Sequence, residues 1–411
     1  VVLLAQQKKL SLDDDIRKFL PEIPSYGKTV TIRHLLHHTS GVRDYLTLMS
    51  LAGFNFDGVT GDEEALGLIA RQKALNFNPG DEHLYSNSGF FLLSIIVKRA
   101  SGKTLSQFAQ ENIFQPLGMK HTHIHNDHTL IVPLRATAYA PKREGGFRID
   151  MSNFEQTGDG AVMTTVEDLL LWDQNFYEPR VGGKDLLDQL QTTGLLNNGE
   201  KLTYALGLTV DSYRGLKSVS HGGAWAGYRA ELIRLPEQKM SVACLCNLGT
   251  TNPSRLARQV AEVYLGDKMS PEESRQALPS AVVELTASQM DSKTGLYRNS
   301  SSGSFMRVTA TQGKLRVDSF GPVSELAAVD ANHFHMVGPL QAEVVFESDK
   351  GGHQRIQVLR AAGKPEVYAS VSTQPKTSTR QRLSAPMVCK LALPSRSLSA
   401  PMALRSCCGR T

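Results

Sequence analysis

Tryptophan and cysteine are scarce in this chain, with two and five among 411 residues. Three of the cysteines (Cys389, Cys407, Cys408) fall near the C-terminal end, so a disulfide-built scaffold is excluded. No apolar run approaches the roughly 20 residues that a membrane-spanning helix needs, and no integral membrane segment is expected. Collagen-like and heptad periods are also missing, and 41% apolar with 21% charged residues is a globular rather than a disordered balance. A methionine at position 1 is missing too. The chain opens Val1-Val2-Leu3-Leu4-Ala5, without the charged region and small-residue cleavage site of a signal peptide. That opening reads as the last turns of a helix, so a fragment is expected, with a trimmed N-terminus as the alternative. The length suggests two or three domains with ample core.

The net charge of +5 first suggests an acidic partner such as nucleic acid. From Val371 to Thr411, however, there are seven basic residues and no acidic ones. Removing those seven leaves −2 for the rest, so no nucleic-acid partner is expected. The same segment is rich in Ser, Pro, Thr and Arg, and repeats Leu383-Ser-Ala-Pro-Met387 as Leu398-Ser-Ala-Pro-Met402. Without helical or strand period, it reads as a disordered basic tail over 372–411.

Helical patterns occupy the first half: 31–38, 62–73, the nearly continuous apolar run 88–100, 106–114 ending before Pro116, and 164–176. Strand patterns follow at 206–210, 229–235 and 240–248. Asn252-Pro253 then opens a helix expected to bury Leu256, Val260, Val263 and Tyr264. Helices, an antiparallel hairpin and a closing helix give an α+β domain over 1–266. Residues 267–284 read as a linker. Six short strand-like runs between 305 and 371 predict a small antiparallel β-barrel or sandwich over 285–371.

Two short motifs carry candidate chemistry. In Tyr85-Ser86-Asn87 a phenol and an amide stand two residues apart, on one side if the segment is extended. They offer a proton carrier and a group to hold a substrate carbonyl. In His221-Gly222-Gly223-Ala224 two glycines permit close backbone approach, and a free N–H there can donate to an oxyanion.

Order and context identify the family. Lys9-Leu-Ser-Leu-Asp-Asp14, Thr31-Ile-Arg-His-Leu-Leu-His-His-Thr-Ser-Gly41, Phe77-Asn-Pro-Gly80, Tyr85-Ser-Asn-Ser-Gly89, Ile113-Phe-Gln-Pro-Leu-Gly-Met119, Thr164-Thr-Val-Glu-Asp-Leu169 and His221-Gly-Gly-Ala-Trp-Ala-Gly-Tyr228 occur in sequence. Together they resemble the serine β-lactamase-related family of class C β-lactamases, penicillin-binding DD-peptidases and esterases. Residues 285–371 resemble the lipocalin-like barrel often appended to such enzymes. The resemblance implies a β-lactamase/transpeptidase-like fold and acyl transfer through a serine ester. It implies a small-molecule or peptide substrate, no cofactor and an extracytoplasmic location. Tyr85 would relay protons, and Asn87 would orient the substrate. His221-Gly222-Gly223 would form the third element, with the Ala224 N–H as half of the oxyanion hole.

The family nucleophile and its lysine belong to a helical Ser-x-x-Lys. By the resemblance that helix should end where this chain begins, so residues 1–411 are expected to lack the nucleophile and to be inactive alone. Ser25-Tyr26-Gly27-Lys28 has the spacing but follows Pro21 and Pro24, and a loop would not hold the two side chains one turn apart. Lys293-Thr294-Gly295 and Tyr297-Arg298-Asn299 mimic family motifs outside their context. A non-catalytic peptide-binding relative is the first alternative. A zinc hydrolase is the second, because His123, His125, Asp127 and His128 follow a Thr-His-x-His-x-Asp-His pattern. His34, His37 and His38 are read as structural. Cys244 and Cys246, alternating on a strand, are read as buried and free.

Overall fold

Short capped helices build the first half of the fold. They are α1 (Val2–Gln6), α2 (Ile32–Leu36), α3 (Tyr45–Leu51), α4 (Asp62–Ala70), α5 (Asn87–Ser101), α6 (Leu105–Ala109), α7 (Gln115–Leu117), α8 (Val166–Gln174) and α9 (Gly183–Leu190). Thr31, Asp44, Thr104 and Thr165 cap α2, α3, α6 and α8, each side chain accepting a backbone N–H that has no partner within the helix. This computed structural model describes residues 1–142, 144–271, 283–299, 305–318, 323–337, 342–348, 354–359 and 365–371. The expected tail at 372–411 and most of the expected linker lie outside the described residues.

Helix α5 is the core element. Phe91, Leu92, Leu93, Ile95, Ile96 and Val97 are all buried, each contributing about 1.5–3 kcal/mol of transfer free energy. Gly102, at φ 75°, ends the helix in the left-handed conformation. Near its start, Gly89 lies so close to α2 that an added Cβ would meet the Leu35 carbonyl oxygen at 3.1 Å. Beyond α6 a π-helical turn, Gln110–Phe114, carries the helix past Pro116 instead of ending before it. Pro116 closely follows this π-helical turn, an irregularity of the kind that accompanies a proline inside a continuing helix.

Two small ribbons follow, β1 (His123–Ile124) with β4 (Val162–Met163) and β2 (Tyr139–Pro141) with β3 (Phe147–Ile149). The main sheet is antiparallel in chain order: β5 (Thr209–Tyr213), β6 (Leu216–Trp225), β7 (Tyr228–Leu235) and β8 (Met240–Cys246). The expected strand at 206–210 begins later, because Gly207 at φ 87° breaks the extension. The closing helix α10 (Pro253–Leu265) lies on β7 and β8. It buries Ala257, Ala261 and Leu265 and exposes Leu256, Val260, Val263 and Tyr264, the residues expected inside. Small side chains let helix and sheet approach closely, and that decides the face. Met269, three residues past the expected domain end, joins Leu216, Leu235, Ala261 and Leu265 in one buried cluster.

After α11 (Ala287–Asp291) comes a closed antiparallel barrel. It is formed by β9 (Gly295–Asn299), β10 (Phe305–Thr311), β11 (Lys314–Asp318), β12 (Ser324–Ala328), β13 (His333–Val337), β14 (Ala342–Ser348), β15 (Gln354–Leu359) and β16 (Glu366–Ser370). Each strand pairs with the next, and β16 pairs with β9 to close the ring. Alternate residues such as Val308, Leu315, Val317, Val344, Ile356 and Val358 point inward and fill the interior. Among the described residues no helix is long and apolar enough to cross a membrane.

Candidate active site

The start of α5 and the end of β6 meet in one cleft. Tyr85 and Asn87 flank Ser86, the N-cap of α5. The Tyr85 ring is 45% exposed. Its centroid lies 4.2 Å from that of His38 and 6.4 Å from that of His221. Asn87 gives both its backbone N–H and its side-chain NH₂ to Asp44 Oδ2, at 2.7 and 2.8 Å. The other Asp44 oxygen caps α3 through the Thr47 N–H. One carboxylate thus fixes the Asn87 amide through its NH₂.

Behind these groups lies Asp159. Tyr45 Oη donates to it at 2.8 Å. Burial, aided by nearby Asp44, raises its carboxyl to about 7 against hydrogen bonds that favour the charge. Burial first, then Asp159 and Asp44, also pushes the Tyr85 phenol above its ordinary range. Asp44, Tyr45 and Asp159 were not singled out from the sequence; each lies more than 40 residues from one of its partners.

On the opposite wall, β5 pairs with β6 only as far as Ser220. From His221 to Trp225 the strand is paired on its other side alone, with β7. Gly222, Gly223 and Ala224 are exposed along that free edge. At Gly222 an added Cβ would meet Glu231 Oε2 at 2.9 Å, so a larger residue would have to move that carboxylate. That carboxylate is buried and held by Ser254 Oγ at 2.6 Å. His221 Nε2 lies 3.0 Å from Tyr204 Oη. The structure therefore brings Tyr85, Asn87 and the His221–Ala224 segment together from two chain regions.

The other candidates separate. Ser25–Lys28 is a loop with Gly27 at φ 70°. Lys293 and Tyr297 belong to the barrel, where Tyr297 is buried and its hydroxyl donates to the Lys293 carbonyl. His34 accepts the Thr31 N–H in the cap of α2, a structural role as expected. His38, read with it, is also buried, and its ring packs against those of Tyr85 and Tyr204. Cys244 and Cys246 are free but half-buried, and burial pushes both thiols up.

The four residues of the zinc alternative do not converge. His123 and His125 contact each other at 3.4 Å, and His125 Nε2 faces the Arg135 guanidinium at 3.3 Å. Burial and that cation lower both imidazoles, and the cation opposes a metal there. His128 turns to Glu155, at 2.7 Å. Among the described residues, the donor atoms that lie within 4.8 Å of one another are those of Asp127, His128 and Glu155. This set could hold a divalent ion only by breaking the His128–Glu155 pair.

The Beta-lactamase family profile matches residues 1–265. A D-aminopeptidase of Gluconobacter oxydans (strain 621H) is 30% identical over 287 residues, covering 69% of this chain and 53% of that protein. Penicillin-binding protein 4* of Bacillus subtilis (strain 168) is 30% identical over 267 residues, covering 60% and 57%. The chain spans little more than half the length of these relatives. Among solved structures, the octameric penicillin-binding protein homologue from Pyrococcus abyssi matches with TM-score 0.59 at 22% identity, over 89% of this chain and 84% of that one. A D-stereospecific amidohydrolase from Streptomyces sp. matches with TM-score 0.54 at 21% identity, over 63% and 82%. These two likenesses show a shared fold. The chain belongs to the beta-lactamase family of serine hydrolases.

Proposed function

We propose that this protein hydrolyses amide bonds of small D-amino-acid amides or peptides through an acyl-serine intermediate, with Tyr85, Asn87 and the β6 edge as its substrate-handling groups. The observation that carries the reading is the free edge of β6 at His221–Trp225 facing Tyr85 and Asn87. An extended substrate adds to such an edge as a further strand. The Ala224 N–H then lies where a carbonyl oxygen gains charge.

In the reaction, the serine oxygen forms a bond to the substrate carbonyl carbon and gives up its proton. The tetrahedral oxyanion collapses, the C–N bond breaks, and the amine leaves with a proton. Tyr85 is the carrier of that proton. Burial first, then Asp159 and Asp44, holds its phenol protonated in residues 1–411, and from there it passes a proton between serine and leaving amine. The acyl ester is then hydrolysed by water. The serine and its lysine come, in this reading, from a Ser-x-x-Lys element outside residues 1–411. A lysine arriving beside Asn87 would meet the carboxyl groups of Asp44 and Asp159, which suits an ammonium.

The test uses the protein extended at its N-terminus from its own coding sequence. It should release p-nitroaniline from D-alanyl-p-nitroanilide faster than from the L-isomer. Tyr85→Phe should cut kcat by roughly 10²–10⁴-fold, the usual contribution of one positioned proton carrier. Equal rates for Tyr85→Phe and the parent would remove Tyr85 from the mechanism. Binding of the D-amide without turnover would favour a non-catalytic relative.

A further inference from the structure

We propose that Tyr204, backed by His38, is a positioning residue that holds the neutral His221 ring as its Nδ1–H tautomer and occupies its Nε2 lone pair. The proposal rests on the reading of His221 as a cleft residue and adds what it can do there: its ring braces the β6 edge and does not abstract protons.

The argument follows hydrogen-bond polarity from one fixed end to the other. Ser86 N lies 3.2 Å from His38 Nδ1. A backbone N–H can only donate, so His38 Nδ1 accepts. Burial above all, with His83 and His221 nearby, pushes the His38 imidazole down to about 3. His38 is therefore neutral, and its one proton is on Nε2, which faces Tyr204 Oη at 3.2 Å. Tyr204 is buried, and burial pushes its phenol above the ordinary range, so the hydroxyl keeps its proton. Having accepted from His38, it donates to His221 Nε2 at 3.0 Å. Accepting at Nε2, His221 carries its proton on Nδ1, which lies 2.7 Å from the Gly222 carbonyl oxygen, an acceptor only. Both ends of the chain are backbone groups of fixed polarity, and every proton between them is assigned.

Two further observations show that this chain is built in. His38 sits at φ 55°, a left-handed backbone that costs a non-glycine residue energy and persists where surrounding contacts enforce it. Here the Leu84 N–H binds the His38 carbonyl at 2.9 Å while its ring makes the two bonds above. The rings also pack together, with His38 and Tyr204 centroids 4.8 Å apart and Tyr204 and His221 centroids 5.9 Å apart. Since both His221 nitrogens are occupied, the polar groups left to the substrate at this wall are the backbone of β6 and the Tyr85–Asn87 pair. The Nδ1–H bond to Gly222 ties the ring to the strand that receives the substrate.

Histidine-labelled protein of residues 1–411 tests this directly by long-range proton–nitrogen NMR at pH 7.5, with His221 assigned from His221→Gln. The parent should show a protonated, pyrrole-like Nδ1 and a bare, pyridine-like Nε2 at His221. Tyr204→Phe keeps the ring packing and removes the hydroxyl, so the His221 Nε2 signal should lose its hydrogen-bond shift and move towards that of a free pyridine-like nitrogen, while Nδ1–H stays on Gly222. His38→Asn should shift that signal the same way by removing the donor to Tyr204. A parent already in the Nε2–H form, or a His221 signal unchanged in both variants, would overturn the proposal. In the N-terminally extended protein, Tyr204→Phe should lower kcat/KM by about tenfold, the worth of one hydrogen bond. No turnover by the extended parent would defeat the proposed function while leaving the tautomer result standing. Turnover together with an unmoved Nε2 signal would defeat only the role of Tyr204.

Discussion

Replacing Asp159 by asparagine should change how stability depends on pH. The Asp159 carboxyl is raised from 3.8 to about 7, chiefly by burial and further by Asp44. An acid whose pKa is higher folded than unfolded binds more protons in the folded state between those two values. Stability therefore falls as pH rises through about 4 to 7, and the full cost is present above 7. About three pH units at ~1.4 kcal/mol each give roughly 4 kcal/mol. That is an upper limit, since the residue keeps some solvent contact. The replacement amide would still accept from Tyr45 Oη but cannot ionise. Asp159→Asn should match the parent near pH 4 and exceed it by about 2–4 kcal/mol at pH 8. Urea unfolding followed by tryptophan fluorescence measures this. Both tryptophans, Trp172 and Trp225, lie before residue 266, so the signal reports the region that holds the cleft. A difference between parent and variant that is the same at every pH from 4 to 8 would refute the reasoning.

Two further outcomes follow. Arg234 and Asp173 form a buried ion pair, with the guanidinium also 3.9 Å above the Phe176 ring. Asp173→Ala should cost about 3–5 kcal/mol in urea unfolding by stranding a buried charge, and the double change Asp173→Leu with Arg234→Met should recover most of it. Metal removal separates the hydrolase readings: chelation with EDTA should leave D-amide hydrolysis by the extended protein unchanged, and a loss restored by zinc would favour the zinc alternative, with Asp127, His128 and Glu155 as the donors close enough to hold the ion.

How far the fold could be read depended on whether its cause was local. Helix α5 was legible because its apolar run is long and ends at Gly102. Six barrel strands were legible from their alternating residues. Two others were not: β9 is masked by Lys293-Thr294-Gly295 and Tyr297-Arg298-Asn299, and β12, Ser-Glu-Leu-Ala-Ala, carries few β-branched or aromatic residues. Helix α10 was placed correctly but turned the wrong way, because apolar strength points to Leu256 and Val260 whereas closeness to the sheet selects Ala257 and Ala261. Tyr85, Asn87 and His221–Ala224 were visible as motifs, and their meeting is a fact of the fold. Asp44, Asp159, His38 and Tyr204 carry no local signature. Their roles come from contacts across 43 residues for Asp44 with Asn87, 114 for Asp159 with Tyr45 and 166 for His38 with Tyr204.

The central claim is acyl transfer through a serine served by Tyr85. The most direct measurement is intact-mass and peptide-mapping mass spectrometry of the N-terminally extended protein after reaction with a fluorophosphonate probe. One adduct per chain is predicted, on the serine of an upstream Ser-x-x-Lys element, forming much more slowly in Tyr85→Phe. No adduct, or an adduct on Ser25, would contradict the account.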